Sequence, residues 1–177
     1  AASRRARAGQ GVIVLLRLSV LVAGAGAVWV VAAGQVPSHV RLPVTGVVVG
    51  AVVTQPFGCT ALALEPFDPF CPGRHIHTGI DLAAPTGTPV HSATGGVVHV
   101  GFDPAAAGLL VAVVMDSHVR LLYCHLSSVE VAAGATVTAG DVVGRVGATG
   151  RATGPHVHFE IQVDGVSVDP GKWLAAS

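Results

Sequence analysis

A chain of 177 residues is long enough for one domain with a substantial core and short for two. Charged residues make up only 11% of it and the formal net charge is zero, which excludes a general nucleic-acid binder. The charge is uneven, however: Arg4, Arg5, Arg7 and Arg17 come early, and no acid precedes Glu65.

Residues 1–34 join that basic flank to an apolar run from Leu18 to Gly34. A segment of this kind is either a secretory signal, cleaved near Val31-Ala32-Ala33, or a hydrophobic membrane-anchoring helix reaching back to Val12 with Arg17 snorkelling. Both readings keep the arginines inside and place the remainder in the extracytoplasmic cell envelope, anchored or secreted. Residues 35–43 carry two prolines and read as a linker, so the folded domain is expected over 44–177.

From Val44 onward the sequence is a series of short β-branched runs broken by Gly, Pro and Asp. Strands are expected in Val47–Thr54, Gly87–Val90, Gly95–Phe102, Leu109–Asp116, Val119–Leu126, Val129–Val131, Thr136–Thr138, Val142–Val146 and His156–Val163. No stretch after residue 35 has helical periodicity, so the fold class is all-β, a compact antiparallel sheet domain preceded by the N-terminal hydrophobic helix. Cys59 and Cys71 flank a Pro- and Phe-containing loop and are expected to be bridged, which closes the loop and stabilises it by roughly 3 kcal/mol. Cys124 then remains single, beside His125, and reads as a small buried hydrophobe. A Cys124/His125 nucleophile is disfavoured because neighbours in a strand point to opposite faces.

The chemistry concentrates in two stretches. In His156-Val157-His158-Phe159-Glu160-Ile161, alternation puts both histidines on one face and the apolar residues on the other. In His77-Thr78-Gly79-Ile80-Asp81, an extended path again sends 77, 79 and 81 the same way, with Gly79 leaving room for an ion. His77, Asp81 and His158 are therefore candidate ligands for one zinc ion, three donors with a fourth position open, which is the pattern of a catalytic site. His125 and His156 are candidates for proton transfer or oxyanion stabilisation, in an order that the sequence does not assign. His39, His91, His99 and His118 read as ordinary surface or hydrogen-bonded histidines, His75 as an outer partner of His77, and Glu160 as a solvent-facing strand residue.

These motifs, together with Tyr123-Cys124-His125-Leu126-Ser127, Gly147-Ala148-Thr149-Gly150-Arg151-Ala152-Thr153-Gly154-Pro155 and Val168-Asp169-Pro170, resemble the lysostaphin-type zinc endopeptidases that cut peptides in bacterial peptidoglycan. The resemblance runs from about Val53 to Leu174. It implies a lysostaphin-like antiparallel fold with a groove on a central sheet, zinc on His77, Asp81 and His158, and His125 and His156 as catalytic histidines. It also implies a peptidoglycan peptide as substrate partner; the low charge argues separately against nucleic acid, and membrane contact is expected through the N-terminal segment if it is uncleaved. Two departures stand out: Cys124 replaces a small residue, and Asp103–Gly108 replaces a glycine-rich turn at one groove wall. The alternatives are a non-catalytic wall-binding or amidase-activating module using the same groove, and a sugar-permease phosphocarrier domain, against which the export signal and Asp81 both argue.

Overall fold

A computed structural model describes residues 40–176. The segment expected at 1–34 and the first part of the expected linker lie outside those residues. The chain packs on the domain before residue 44: Leu42 N donates to Ala93 O at 2.8 Å, and the Arg41 guanidinium lies 3.7 Å from the Trp173 ring centre.

In order come α1 (Val44–Val47), β1 (Val52–Gln55), β2 (Gly58–Thr60), β3 (His75–His77), β4 (Ile80–Ala83), β5 (Pro89–His91), β6 (Gly96–Asp103) and β7 (Gly108–Val114). They are followed by β8 (Val119–Leu126), β9 (Ser128–Val129), β10 (Thr136–Val137), β11 (Val142–Arg145), β12 (His156–Val163), β13 (Val166–Val168) and α2 (Pro170–Ala175). The all-β expectation holds for these residues. Both helices are too short for a periodic pattern to show in sequence; α2 is nucleated by Pro170 at its first turn and by Asp169, whose carboxylate accepts from Gly171 N and Lys172 N. The run from Val47 differs from expectation: it opens in α1, turns through Gly50 at φ +78°, and becomes a strand only at Val52. Among the described residues no helix is long and apolar enough to cross a membrane.

The main sheet has eight antiparallel strands in the order β1-β4-β12-β8-β7-β6-β10, with β13 also pairing β12. A three-stranded sheet, β5-β11-β9, and the ribbon β2-β3 complete the structure. Strand β12 is central, and its alternation sorts the molecule into core and site. Val157, Phe159 and Ile161 are fully buried with Leu121, Tyr123 and Val111 in the core, where the Tyr123 and Phe159 rings sit 5.1 Å apart. The buried Tyr123 hydroxyl accepts from Ala93 N at 2.8 Å. The other face of β12, with His156, His158 and Glu160, turns to a groove.

Cys59 and Cys71 are bridged. The loop that they close is fastened at its middle, where Ile76 N donates to Pro66 O at 3.0 Å and Gln55 Nε2 to Glu65 Oε1 at 3.2 Å. Here His75 differs from its expected place. Its Nδ1 donates to Glu65 O at 2.8 Å and its ring meets Phe67 edge-on, so it anchors this loop instead of supporting His77.

Candidate metal centre and active site

The register of the sheet brings the two motifs together. On β12, His158 stands opposite Asp81 of β4 on one side and Cys124 of β8 on the other. Three potential ligand atoms form a nearly equilateral triangle: His77 Nε2 to His158 Nδ1 is 3.0 Å, and Asp81 Oδ1 is 3.1 Å from each. These residues are the group that could hold a metal ion.

The chemistry of the donors fits a cation. His77 Nδ1 lies 2.9 Å from Pro56 O, and since a carbonyl only accepts, Nδ1 carries the proton and Nε2 presents a lone pair. His158 Nε2 faces the Glu160 carboxylate, which likewise makes Nε2 a donor and turns the Nδ1 lone pair toward Asp81 and His77. Two ring nitrogens and a carboxylate oxygen 3.0–3.1 Å apart need a positive centre among them, a proton or a metal. Burial lowers the His158 pKa, but Asp81 and Glu160 more than reverse this and push it up to about 9. Burial likewise raises the Asp81 carboxyl, and the adjoining His158 and His77 imidazoles overcome that, holding it well below the usual carboxylate range. The triangle suits zinc: with bonds of ~2.0–2.1 Å, the ligand atoms of a tetrahedral site are about 3.3 Å apart.

Gly79 does something other than leave space for an ion. A Cβ there would lie 2.5 Å from Phe159 O and 2.9 Å from His158 Cε1 and Nε2, so the missing side chain makes room for the His158 ring itself.

His125 and His156 adjoin the triangle, their ring centres 4.7 Å apart and His125 6.2 Å from His158. Each is fixed in one tautomer by a backbone carbonyl. His125 Nδ1 donates to Thr149 O at 2.8 Å and His156 Nδ1 to Gly154 O at 2.9 Å, leaving each Nε2 as an acceptor. His156 Nε2 lies 3.7 Å from Asp81 Oδ1. Burial lowers the His125 pKa, with His156 and His158 adding to this against the Thr149 carbonyl and Asp81.

The position of His125 corrects the simple alternation argument. Between the pairs Leu109↔Leu126 and Val111↔Tyr123, β8 holds one residue more than β7, which is a β-bulge. His125 takes φ +64° within it. The parity of the strand reverses there, with Leu121 and Tyr123 in the core before the bulge and Leu126 in the core after it. Cys124 and His125 therefore both line the groove. Cys124 remains a buried apolar filler, because burial, then the charges of Glu160 and Asp81, push its thiol up to about 12.

Sequence reasoning missed Thr149 and the role of the glycines near it. Thr149 Oγ1 accepts from Leu109 N and donates to Leu126 O, both at 2.9 Å, while its own carbonyl holds His125. A Cβ at Gly108 would come within 2.4 Å of Thr149, and φ +63° there favours glycine independently. Glu160 is also misplaced by the sequence reading: it is buried, not solvent-facing. Its carboxylate accepts from Thr78 Oγ1, Ser167 Oγ and Gln162 Nε2 as well as facing His158.

The groove is a cavity of about 370 Å³ floored by the histidines and Asp81. Leu62, Leu64, Glu65 and Pro66 of the disulfide loop line it, as do Ala106, Ala107 and Arg151.

Residues 75–170 match the profile of Peptidase family M23. Over 95 residues the chain is 44% identical to the DD-carboxypeptidase/endopeptidase Mpg of Neisseria meningitidis serogroup B, a match covering 54% of this chain and 22% of that one. The chain thus spans well under half the length of this relative. A zinc-containing peptidase from Vibrio cholerae superposes with a TM-score of 0.57 at 35% identity, over 68% of this chain and 36% of that one. The catalytic domain of lysostaphin from Staphylococcus simulans does so with a TM-score of 0.59 at 27% identity, over 71% and 93%. With more than half of its length inside the family profile and the same antiparallel fold, the chain belongs to Peptidase family M23.

Proposed function

We propose that the chain is a zinc-dependent endopeptidase that hydrolyses peptide bonds in bacterial peptidoglycan. The observation that carries this reading is the convergence of His77 Nε2, Asp81 Oδ1 and His158 Nδ1 at 3.0–3.1 Å, with both histidine tautomers set by outer acceptors. His77, Asp81 and His158 would hold one zinc ion. Bound there, zinc supplies Lewis acidity toward a peptide carbonyl and lowers the pKa of water. The choice of zinc is supported by the two-nitrogen, one-oxygen donor set and by the zinc in the Vibrio cholerae relative. The choice of substrate is supported by the 40% identity over 96 residues to the peptidoglycan DD-endopeptidase ShyA of Vibrio cholerae.

The remaining work falls to His125 and His156. Each Nε2 is a lone pair over the groove, able to take a proton from water attacking a peptide carbonyl. Once protonated, the same Nε2–H donates, either to the carbonyl oxygen as it becomes an anion or to the departing amine. His125, whose pKa is lowered by burial, is suited to be neutral at the outset, while His156 Nε2 lies 3.7 Å from Asp81 Oδ1. The groove over these histidines, lined also by the disulfide loop and by Ala106, Ala107 and Arg151, is where a peptide would bind. Residues 1–34 would export or anchor this domain at 44–177, and the Cys59–Cys71 bridge supports an oxidising, extracytoplasmic location.

The test is metal content and digestion of purified peptidoglycan by the same preparation. Chelation should abolish release of stem-peptide fragments and zinc should restore it, while His158→Ala releases none. Wall binding without turnover by the zinc-loaded protein, or unchanged turnover in His158→Ala, would refute the reading.

A further inference from the structure

We propose that Glu160 is a positioning residue for the metal centre, a buried carboxylate that fixes the ring of His158 and makes its Nδ1 a stronger ligand. The inference rests on the zinc reading of the triangle and adds to it a residue outside the three ligands and two groove histidines.

Glu160 shares the site face of β12 with His158, two residues away, and is 8% exposed. A carboxylate buried there without partners would be strongly disfavoured. Its two oxygens instead have distinct partners. Oε1 accepts from Ser167 Oγ at 2.6 Å and from Gln162 Nε2 at 2.5 Å. Oε2 accepts from Thr78 Oγ1 at 2.9 Å and faces His158 Nε2 at 3.4 Å. The donors come from β13, from β12 itself and from the β3–β4 connection, so the carboxylate is held from three directions. Such an oxygen can serve only one tautomer of His158, with the proton on Nε2 and the lone pair on Nδ1. That is the nitrogen turned to Asp81 and His77.

Two further features limit the ring to this pose. Gly79 leaves the space in which Cε1 and Nε2 lie, and Phe159 on the opposite face is locked in the core. His77 has an equivalent outer acceptor in Pro56 O, a neutral carbonyl. The partner of His158 is an anion, which also raises the basicity of the ligating nitrogen. Thr78, within the first motif, therefore serves the second motif through Glu160.

The experiment compares zinc affinity of the full chain and its E160Q variant by competition with a chromophoric chelator, and follows ring N–H signals in histidine-15N-labelled, zinc-loaded protein. E160Q keeps the volume and removes the charge. Zinc binding should weaken about 10- to 100-fold, the range for loss of an outer partner of a ligating histidine. The His158 Nε2–H resonance should move upfield while the His77 Nδ1–H resonance, bonded to Pro56, stays in place. Affinity within twofold of wild type, with an unmoved His158 signal, would overturn the proposal. Should E160Q fail to fold, the wild-type spectrum still decides. A slowly exchanging Nε2–H on His158 supports the arrangement, and a Nδ1–H tautomer or a rapidly exchanging proton overturns it. Failure of the wild-type chain to bind zinc at all would instead refute the metal reading itself.

Discussion

Replacing Gly79 with alanine tests how tightly the metal centre is built. The backbone at Gly79 is outside the left-handed region, so alanine suffers no conformational penalty, and its effect is steric. Its Cβ would meet Phe159 O at 2.5 Å and His158 Cε1 and Nε2 at 2.9 Å, against ordinary contact distances of about 3.5–4.0 Å. Relief requires a shift of roughly 0.6–1 Å by the ring, by β12, or by the connection carrying the new methyl. Strand β12 is bonded on both sides, to β4 and β8, and Phe159 is in the core, so the ring yields at its own contact while the clash with the Phe159 carbonyl falls on the β3–β4 connection. Overpacking of this order costs about 1–3 kcal/mol. A 1 Å displacement of His158 opens a triangle whose edges are only 3.0–3.1 Å, so activity should fall about 100-fold. The assay is thermal unfolding alongside zinc titration and peptidoglycan digestion. Gly154→Ala is the control, since nothing lies within 4 Å of the added methyl. A Gly79→Ala protein with wild-type melting temperature and zinc affinity would refute the argument that this glycine exists to admit the His158 ring.

Four other outcomes follow from the same structure. His158→Ala should lose stoichiometric zinc, whereas His156→Ala should retain it and lose turnover by about 10²–10⁴-fold; equal loss of metal in both would reverse the division of roles. Thr149→Val strands Leu109 N and Leu126 O and should lower stability by about 2 kcal/mol in urea unfolding, with kcat reduced more than KM as residue 149, whose retained backbone carbonyl holds His125, loses its two side-chain anchors. Cys59→Ala removes a link between residues 12 apart in sequence and should cost about 3 kcal/mol by the chain-entropy relation, read from the same urea transition. The exposed His118–Asp164 pair raises the pKa of His118, chiefly through the hydrogen bond, so its small stabilisation is complete below about pH 6.5 and lost as pH rises through the raised value. His118→Gln should flatten that part of the melting-temperature profile.

Most strands were legible because they are β-branched runs between turn residues, and β12 was the clearest because its apolar and polar residues alternate without interruption; β2, β3, β4 and β13, of three or four residues each, are missing from the expected strands. The candidate ligands stand out because residues two or four apart on an extended chain share a face, although the path from His77 to Asp81 is not one strand: β3 ends at His77 and β4 begins at Ile80 in another sheet. What escaped the sequence depends on partners distant in the chain. Glu160 looks like an exposed strand residue until Thr78 and Ser167 are brought to it. The bulge at His125 has no local signature, since it is held by Ala107 O accepting from His125 N and by the Thr149 carbonyl on the imidazole. Gly79 was rightly seen as space, but the occupant of that space is a side chain from a strand 77 or more residues away.

The two histidines of β12 differ because the sheet treats them differently. His158 lies where the strand is flanked on both sides by ladders, opposite Asp81 and Cys124. His156 has Ala83 on the β4 side and on the other side only a single bridge to Gly147, whose O accepts from His156 N at 3.0 Å, since the ladder with β8 begins at His158. Alongside His156 the β8 chain has entered its bulge, and the residue that it turns toward His156 is His125. A rigid position suits a ligand, whose distances to a cation tolerate little variation. The edge of the ladder suits groups that must reach both water and a moving peptide. On the proposed reading one strand would supply a metal ligand and a proton carrier two residues apart, with the bulge in its neighbour bringing His125 beside the second.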